Sequence, residues 1–376
     1  MRVLYLANIP SPYRVDFFNE LGKKCELTVL FETQNSKERD EKWIADAAEN
    51  YTAIFLKGIR VGVAEAICPQ VIKFLSSKKY DVIVVGMYSS PTGMLAIEYM
   101  RIRKISFILN SDGGMIKEDK GIKYKIKRRF IGSASAWLST GNMTTDYFCH
   151  YGAKKEQIYK YPFTSIWYKD IIKAKSYNRH DREALKKKLG IEEGKIILTV
   201  GRFTYEGGYG KGYDTLLRAA EMIPQNVGIY IIGDEPTEEF IQWKEQKKLK
   251  HVHYLGFKRK NELAEYYASA DLFVLLTKYD VWGLVINESM IYSLPEISTE
   301  ACGAGRELIQ NDENGYIIPV GDVKQFLEKA SYILQNESVQ ERFGKNSFKK
   351  VQEYTIENMA EVHMKIFNII TNQNTN

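Results

Sequence analysis

The sequence predicts an α/β protein built from two doubly wound domains that face each other across a cleft. Short β-branched runs alternate with amphipathic stretches, which is typical of parallel sheets covered on both faces by helices. The chain has 376 residues, more than a single hydrophobic core usually supports. A polar, lysine-rich stretch at residues 170–189 interrupts the alternation, which then restarts. We therefore place a domain boundary inside this stretch.

The predicted domains are residues 1–175 and 176–352. The predicted strands are residues 3–7, 27–31, 81–85, 106–109, 136–139, 196–200, 228–232, 251–255, 272–276, 296–299 and 316–318. The predicted helices are residues 13–22, 70–79, 93–100, 143–151, 213–221, 262–268, 284–292, 323–334 and 339–353. Residues 356–370 have the helical spacing of apolar residues. The pattern leaves open whether this terminal segment, residues 353–376, returns to the first domain or docks on the second.

The composition narrows the class of partner. The net charge of +6 and the pI of about 8.8 are mild. They suit anionic ligands such as nucleotides, or an anionic membrane surface, and do not indicate nucleic acid. The four cysteines are far apart without a CxxC pair, so we expect neither a disulfide framework nor a zinc site. We expect a reducing, cytoplasmic location.

Two histidines and the hydropathy of the chain give further expectations. His251 and His253 alternate on a predicted strand, but no third ligand is close in sequence, so ordinary histidines are favoured over a metal site. No run of about 18 apolar residues occurs, so we expect any contact with a membrane to come from the surface.

The first segment that indicates chemistry follows the predicted strand at residues 196–200. Gly201 and Arg202 follow this strand, and a glycine-rich loop leads to Lys211 and the next helix. Glycines at a strand end let the backbone approach a ligand closely. A guanidinium and an ammonium group together suit a diphosphate. A plain surface loop with two solvated cations is the alternative.

The second segment follows the predicted strand at residues 272–276. Asp280 lies in a loop, a helix is predicted to begin near Gly283, and Glu288 lies inside that helix. The first amides of a helix attract anions, and a carboxylate can accept hydrogen bonds from the hydroxyls of a ribose or a sugar. The alternative is that Asp280 only caps the helix while Glu288 forms a surface salt bridge.

These segments resemble the retaining glycosyltransferases of family 4, which have the GT-B fold. The matching pieces occur in the order of the family: VGRF…KGYDTLLRAA (200–220), IIGDEP (231–236), VHYLGFKRKNELAEYYASADLFVLLTKYD (252–280), WGLVINESM (282–290), LPEIST (294–299) and GAGRELIQNDENGYIIPVGD (303–322). In the first half, IPSPYRVDFFNELGK (9–23) and YGAKKEQIYKYPF (151–163) also resemble family members. The resemblance makes residues 1–175 the acceptor side and residues 176–352 the nucleotide-sugar side.

The resemblance also implies roles for individual residues. Arg202 and Lys211 would hold the diphosphate of the donor and its developing charge. Asp280 would hold hydroxyls of the donor sugar, and Glu288 would accept hydrogen bonds from the ribose. Further donor contacts would come from the backbone of Gly283 and Leu284, and from Phe257 and Lys258 near the base.

The sequence departs from the pattern of the family in four places. Asp280 stands where the family usually has a glutamate, so either the sugar would sit nearer or the donor would differ. The loop between Arg202 and Lys211 is longer than usual, and residues 10–14 (PSPYR) replace a glycine-rich turn. The histidine often found in the first domain is not evident. Asp112, at the end of a predicted strand, is a candidate for its place, although SDGG is also a plain turn signature.

The implied function is retaining transfer of a sugar, without a metal or another cofactor, from a nucleoside diphosphate sugar, with UDP favoured. The acceptor would be a glycan or a lipid-linked saccharide, in the synthesis of bacterial surface polysaccharides. Two alternatives stay open, namely a nucleotide-sugar epimerase on the same fold and a sugar-nucleotide-binding protein without catalysis. A dinucleotide dehydrogenase is disfavoured, because no GxGxxG follows an early strand.

Residues 117–130 predict a surface contact. Residues 117–129 hold seven basic and two acidic side chains, and Ile122, Ile126 and Phe130 form one helical stripe. Such a helix suits the surface of an anionic membrane, and the resemblance adds to this interpretation because many family members elongate lipid-linked glycans. The alternative is a helix that packs on its sheet through the same stripe.

Overall fold

The computed structural model describes residues 1–32, 48–61, 65–177 and 182–373. The chain forms two compact units. The first comprises Met1–Ser165 together with the chain from Tyr354 onward, and the second comprises Ile166–Glu353. Each unit contains a parallel sheet with helices connecting its strands, as the sequence predicts.

The first unit contains nine strands within the described ranges. They are β1 (Arg2–Ala7), β2 (Glu26–Phe31), β3 (Thr52–Phe55), β4 (Ile59–Arg60), β5 (Ala66–Ile67), β6 (Val82–Val85), β7 (Ile108–Ser111), β8 (Ala136–Ser139) and β9 (Ile158–Lys160). Its helices are α1 (Pro12–Gly22), α2 (Pro91–Ile102), α3 (Ile122–Ile131), α4 (Asn142–His150) and, at the end of the chain, α14 (Ile356–Gln373). Seven strands form a parallel sheet in the order β3-β2-β1-β6-β7-β8-β9, and β4 pairs with β5 in a small antiparallel ribbon.

The second unit repeats the pattern. Its strands are β10 (Lys195–Val200), β11 (Val227–Ile232), β12 (Val252–Tyr254), β13 (Leu272–Leu275), β14 (Glu296–Thr299) and β15 (Gly315–Ile318). Its helices are α5 (Tyr168–Lys175), α6 (Arg182–Leu189), α7 (Tyr213–Ala220), α8 (Glu238–Gln246), α9 (Lys260–Ser269), α10 (Leu284–Met290), α11 (Gly303–Leu308), α12 (Val323–Gln335) and α13 (Glu337–Val351). The strand order is β12-β11-β10-β13-β14-β15, with every pair parallel.

Burial explains why the central strands were predictable. Val82–Val85 and Leu272–Leu275 are buried at every position, as expected for strands covered on both faces. Two strands that were not predicted, β3 and β9, lie at the edges of the first sheet and are only partly buried. Edge strands of this kind have no continuous apolar run to mark them.

The predicted helix at residues 70–79 is wrong beyond its first half. The structure has a short 3₁₀ helix at Pro69–Lys73 instead. The side chain of Ser76 accepts a hydrogen bond from the backbone N–H of Lys78 at 3.3 Å. Serine side chains that bond nearby backbone groups compete with helix formation, so the turn ends the helix early. Helix α8 is a further difference, because it lies outside the segments that were predicted to be helical.

The second unit begins earlier than the predicted boundary at residue 176. Helix α5 packs inside this unit, because Lys260 Nζ donates to Asp170 Oδ2 at 2.6 Å and Lys173 Nζ donates to Asn261 Oδ1 at 3.0 Å. The terminal helix α14 belongs to the first unit, where it packs on α1.

A buried histidine anchors α14 in the first unit. His363 is fully buried, with its ring centroid 4.6 Å from that of Phe17 and 4.5 Å from that of Tyr161. Its Nδ1 lies 2.7 Å from the carbonyl oxygen of Met359, whereas Nε2 has no hydrogen-bond partner among the described residues. Burial lowers the pKa of His363 from 6.5 to about 3.

His363 should therefore make the stability of the protein depend on pH. The unfolded chain takes up a proton at this site below about pH 6.5, whereas the folded chain stays neutral there until about pH 3. The free energy of unfolding should thus fall as the pH drops through this window, by up to about 1.4 kcal/mol per pH unit. His363→Phe keeps a ring in the cluster without the titration. Its melting temperature should drop less than that of the wild type between neutral and mildly acidic buffer, and equal drops would contradict this role of His363.

Candidate functional site

The site lies at the carboxyl ends of the strands in the second sheet. The order β12-β11-β10-β13-β14-β15 reverses direction between β10 and β13. This order is that of a dinucleotide-type Rossmann sheet, in which ligands bind at the reversal point. The segments that follow β10 and β13 contain Arg202, Lys211 and Asp280, three of the residues that the sequence singled out.

The structure brings Lys211 and Asp280 into direct contact. Lys211 Nζ donates to Asp280 Oδ2 at 2.6 Å, and the two side chains are only 17% and 16% exposed. Lys211 Nζ also lies 5.3 Å above the centroid of the Tyr205 ring. A pair that is mostly shielded from water is screened less than a surface pair. The spacing of the two residues in the sequence did not predict this bond.

The loop before α7 fixes the position of Lys211. Gly212, which precedes α7, has a φ of 74°. A Cβ at this position would lie 1.9 Å from the carbonyl oxygen of Leu276, just beyond β13. Only glycine combines this conformation with such a close approach. The backbone thereby holds Lys211 against the end of β13, where Asp280 follows.

Backbone bonds hold Asp280 between two strand ends. Its N–H donates to the carbonyl of Ala301 at 3.0 Å, and its carbonyl accepts from the N–H of Gly303 at 3.1 Å. Its Oδ1 accepts from the backbone N–H of Trp282 at 3.3 Å. Each carboxylate oxygen therefore has one partner and one further lone pair available to a ligand.

Gly283 and Leu284 follow at the start of α10. Gly283 has a φ of 93°, and Leu284 is the first helical residue. The helix has only seven residues, so its macrodipole is small. The cationic side chains beside it should therefore supply more of the positive potential than the helix does.

Arg202 lies at the reversal point, directly after β10, and is partly buried. A Cβ on the preceding Gly201 would lie 3.2 Å from Cγ of Lys211, so the two cationic segments are adjacent. Asp234, which follows β11, was not among the predicted site residues. Its Oδ2 accepts from the backbone N–H of Thr204 at 3.1 Å, and its Oδ1 accepts from the N–H of Phe203. Asp234 thus holds the loop that carries Arg202.

The remaining second-unit residues lie on neighbouring elements. Glu288 is partly buried on α10, and its Oε2 accepts from the hydroxyl of Tyr267 on α9 at 3.3 Å. Phe257 is 48% exposed and Lys258 partly exposed. Both follow β12, the edge strand, two strands and therefore roughly 10 Å from β10.

Asp112 lies in the first unit, directly after β7. It forms an ion pair with Arg14, and its Oδ2 accepts from the hydroxyl of Tyr13 at 3.1 Å. Arg14 also donates to Asn110 Oδ1 at 3.1 Å. The sequence did not single out Arg14, although it lies in a segment that resembles the family. The sequence carries no signal for it, because the burial of Arg14 is visible only in the structure.

His253 lies on β12 and His251 directly precedes this strand. The described residues around them do not complete a metal site. His251 is buried, and burial lowers its pKa. His253 Nε2 lies 2.5 Å from Glu193 Oε1, and its ring stacks on Tyr230 at a centroid distance of 4.5 Å. Across the described residues, no group of three or more potential metal-ligating side chains occurs.

Residues 181–350 match the family model of glycosyl transferases group 1. We call residues 181–350 the group 1 segment. The group 1 segment contains Arg202, Lys211, Asp280 and Glu288, and it spans nearly all of the second unit.

Two curated relatives are similar to parts of the chain. The chain is 28% identical over 190 residues to the N-acetyl-alpha-D-glucosaminyl L-malate synthase of Bacillus anthracis, covering 49% of the chain and 48% of the relative. It is 21% identical over 304 residues to the N,N'-diacetylbacillosaminyl-diphospho-undecaprenol alpha-1,3-N-acetylgalactosaminyltransferase of Campylobacter jejuni, covering 78% of each. The chain spans about half the length of the first relatives that it matches.

Comparison with solved structures shows the fold. The Anabaena protein Alr3699/HepE, solved in complex with UDP, matches with a TM-score of 0.74 at 15% identity, covering 99% of the chain and 100% of that structure. The chain therefore has the GT-B fold of two Rossmann-like domains, and this fold prediction is confirmed. Within the described ranges, no helix is both long and apolar enough to span a membrane.

Proposed function

We propose that the chain is a metal-independent, retaining glycosyltransferase that takes its sugar from a nucleoside diphosphate sugar, with UDP favoured. The observation that carries the proposal is the Lys211–Asp280 pair at the reversal point of the sheet in the group 1 segment. A fixed cation beside a carboxylate suits a ligand that joins a diphosphate to a polyol. The Anabaena protein was solved in complex with UDP, which supports the choice of nucleotide.

In this proposal, each of these residues binds a different part of the donor. Lys211 uses one N–H on Asp280, which leaves two donors for phosphate oxygens. Arg202 adds a planar fork for the same diphosphate. Asp280 offers its remaining lone pairs to hydroxyls of the sugar, and Glu288 accepts from the ribose while Tyr267 orients it.

The reaction needs charge neutralisation more than a base. The bond between the anomeric carbon and the β-phosphate oxygen breaks, and a bond from the acceptor oxygen to the same carbon forms. The proton of the acceptor hydroxyl passes to the departing diphosphate, on the face that it leaves. Arg202 and Lys211 stabilise the negative charge that develops on the diphosphate, which is where preorganised cations lower a barrier most.

The acceptor is a glycan or a lipid-linked saccharide of a surface polysaccharide pathway. The Campylobacter relative, whose name includes a diphospho-undecaprenol acceptor, matches over most of the chain, first unit included. In this proposal Asp112, with Arg14 and Tyr13 around it, presents a carboxylate at the strand ends of the first sheet.

Calorimetry with UDP and turnover of UDP-sugars test the donor assignment. Arg202→Ala and Lys211→Ala should each weaken UDP binding by about tenfold or more, because each removes a charge-assisted contact. Arg202→Ala should lower turnover more than Glu288→Gln does, because only Arg202 meets charge that grows in the transition state. Lys250→Ala is the matched control, since Lys250 is exposed and precedes β12 at the other end of the sheet.

Two results would count against the assignment. If UDP binds equally well to the Lys211→Ala and Lys250→Ala proteins, the assignment of the donor site to Lys211 is overturned. Normal UDP binding with neither hydrolysis nor transfer of any UDP-sugar, across a panel of saccharide acceptors, would favour a sugar-nucleotide-binding protein instead.

We further propose that α3 lies on the anionic inner face of a membrane. Ile122 is 74% exposed and Ile126 is 41% exposed, so these two members of the stripe do not pack on the sheet, whereas the third, Phe130, is buried. Exposed basic residues flank the two isoleucines, among them Lys123 and Lys125. Apolar residues among lysines on one helix suit insertion at the headgroup level.

Flotation with liposomes that contain anionic phospholipid tests this surface. Ile122→Ser with Ile126→Ser should reduce the bound fraction, because the helix then lacks its apolar contact. High salt should reduce binding of the wild type, because it screens the basic residues. Ile172→Ser with Ile369→Ser is the matched control, since these isoleucines are 56% and 45% exposed on other helices. Equal flotation of the two double variants would contradict the proposal.

A further inference from the structure

A cavity of about 390 Å³ lies in the second unit, away from the candidate donor site. Its walls include three cationic and three aromatic side chains: Lys175, Arg182 and Lys345, with Tyr177, Tyr292 and Phe348. The volume lies in the range of small-molecule sites. None of these residues belongs to the donor machinery described above.

The cavity lies toward the other end of the sheet. Part of its wall comes from the end of α9 and from the turn after α10, which lead into the amino ends of β13 and β14, and the rest comes from α5, α6 and α13. The donor residues follow the carboxyl ends of β10 and β13. Because β14 alone is four residues long, at roughly 3.3 Å per residue the two ends are more than about 10 Å apart.

A close backbone contact shapes one wall. Gly344 on α13 lies against the turn after α10, where Ser293 has a φ of 57°. A Cβ on Gly344 would lie 2.1 Å from the carbonyl oxygen of Ser293. Helix α13 therefore approaches this turn more closely than any other residue type would allow, and the approach holds Lys345 and Phe348 at the cavity.

The charge of the walls favours an anion. Arg182 is engaged by the buried Asp271, with a distance of 3.0 Å from NH1 to Oδ1. Lys175 and Lys345 are exposed, and no carboxylate among the described residues forms an ion pair with either of them. Glu341 is the only acidic residue that lines the cavity within the described part of the chain.

The aromatic walls favour a ring attached to that anion. Lys175 Nζ lies 5.3 Å from the centroid of the Phe348 ring, and the rings of Tyr177 and Tyr292 are 6.0 Å apart. Aromatic faces stack on nucleobases and pack against the apolar faces of sugars. A phosphate between the two lysines would place its ring among these side chains.

Tyr292 connects the cavity to the donor site. Its ring stacks on that of Tyr267, with centroids 5.4 Å apart and an angle of 15° between the planes. The hydroxyl of Tyr267 in turn donates to Glu288 at 3.3 Å. A ligand that displaces Tyr292 would therefore shift the hydroxyl that orients Glu288.

We propose that this cavity is a second ligand site, which binds a phosphate carried on a ring and alters the affinity of the donor site through Tyr292, Tyr267 and Glu288. Either a hexose phosphate or a nucleoside monophosphate has this chemistry. The link to the donor site rests on the proposed role of Glu288, whereas binding in the cavity does not.

Calorimetry with three probes tests the cavity by itself. Glucose 6-phosphate, adenosine 5′-monophosphate and inorganic phosphate are titrated into the protein with Arg202→Ala and Lys211→Ala, which should weaken binding at the donor site. One of the two ring compounds should bind at least about tenfold more tightly than inorganic phosphate. Lys175→Ala with Lys345→Ala should weaken it by about tenfold or more.

Lys349→Ala with Lys350→Ala is the control, because it removes two exposed charges from α13 that do not line the cavity. This control should leave the Kd of the ring compound unchanged. The proposal is overturned if neither ring compound binds more tightly than inorganic phosphate, or if the two double variants bind alike.

The link is tested in the otherwise unchanged protein. The bound ring compound should shift the Kd of UDP, and UDP should shift its Kd by the same factor. Tyr267→Phe removes only the hydroxyl on Glu288, so it should abolish the shift and leave the affinity of the cavity intact. If the ring compound shifts the Kd of UDP as much in Tyr267→Phe as in the wild type, the link is overturned, because competition for a single site would give that result. Failure of UDP to bind the wild type would instead overturn the donor assignment and leave the cavity measurement standing.

Discussion

The ion pair between Lys211 and Asp280 is the interaction on which the candidate site depends. It joins the loop after β10 to the loop after β13, the two strands between which the sheet reverses direction. Both partners are mostly shielded from water, so removal of either would leave an uncompensated charge, which costs roughly 3 kcal/mol in buried pairs. The pair thus fixes a cation and a carboxylate at the point where this topology places ligands.

Both units contain a parallel sheet with connecting helices, but the charged side chains at their strand ends differ in exposure and in partners. In the second unit, Lys211 and Asp280 keep part of their surface and hydrogen-bonding capacity for a ligand. In the first unit, Arg14 is almost fully buried and its guanidinium is divided between Asn110 and Asp112. Burial raises the pKa of the neighbouring Tyr5 to about 12, so its hydroxyl stays neutral. The paired charges of the second unit keep hydrogen-bonding capacity, whereas Arg14 in the first unit mainly holds Asp112 in place.

The central strands and the motifs that resemble a known family could be predicted from the sequence, because both depend on local patterns. Buried runs such as Leu272–Leu275 identify a strand without reference to its neighbours. The bond from Lys211 to Asp280 spans 69 positions in the chain, and the role of Asp234 depends on how two loops approach each other. Edge strands and the early end of the helix at Pro69–Lys73 depend on exposure and on one serine side chain. Such features arise only after the chain has folded.

Hydrogen exchange measured with and without saturating UDP tests the donor site most directly, because it locates the ligand without assuming any residue's role. We predict slower exchange in peptides that cover residues 201–212 and 279–288, since the loops after β10 and β13 would become ordered around the diphosphate and ribose. Protection confined to peptides of the first unit, or no protection at saturating UDP, would contradict a donor site built on Lys211 and Asp280.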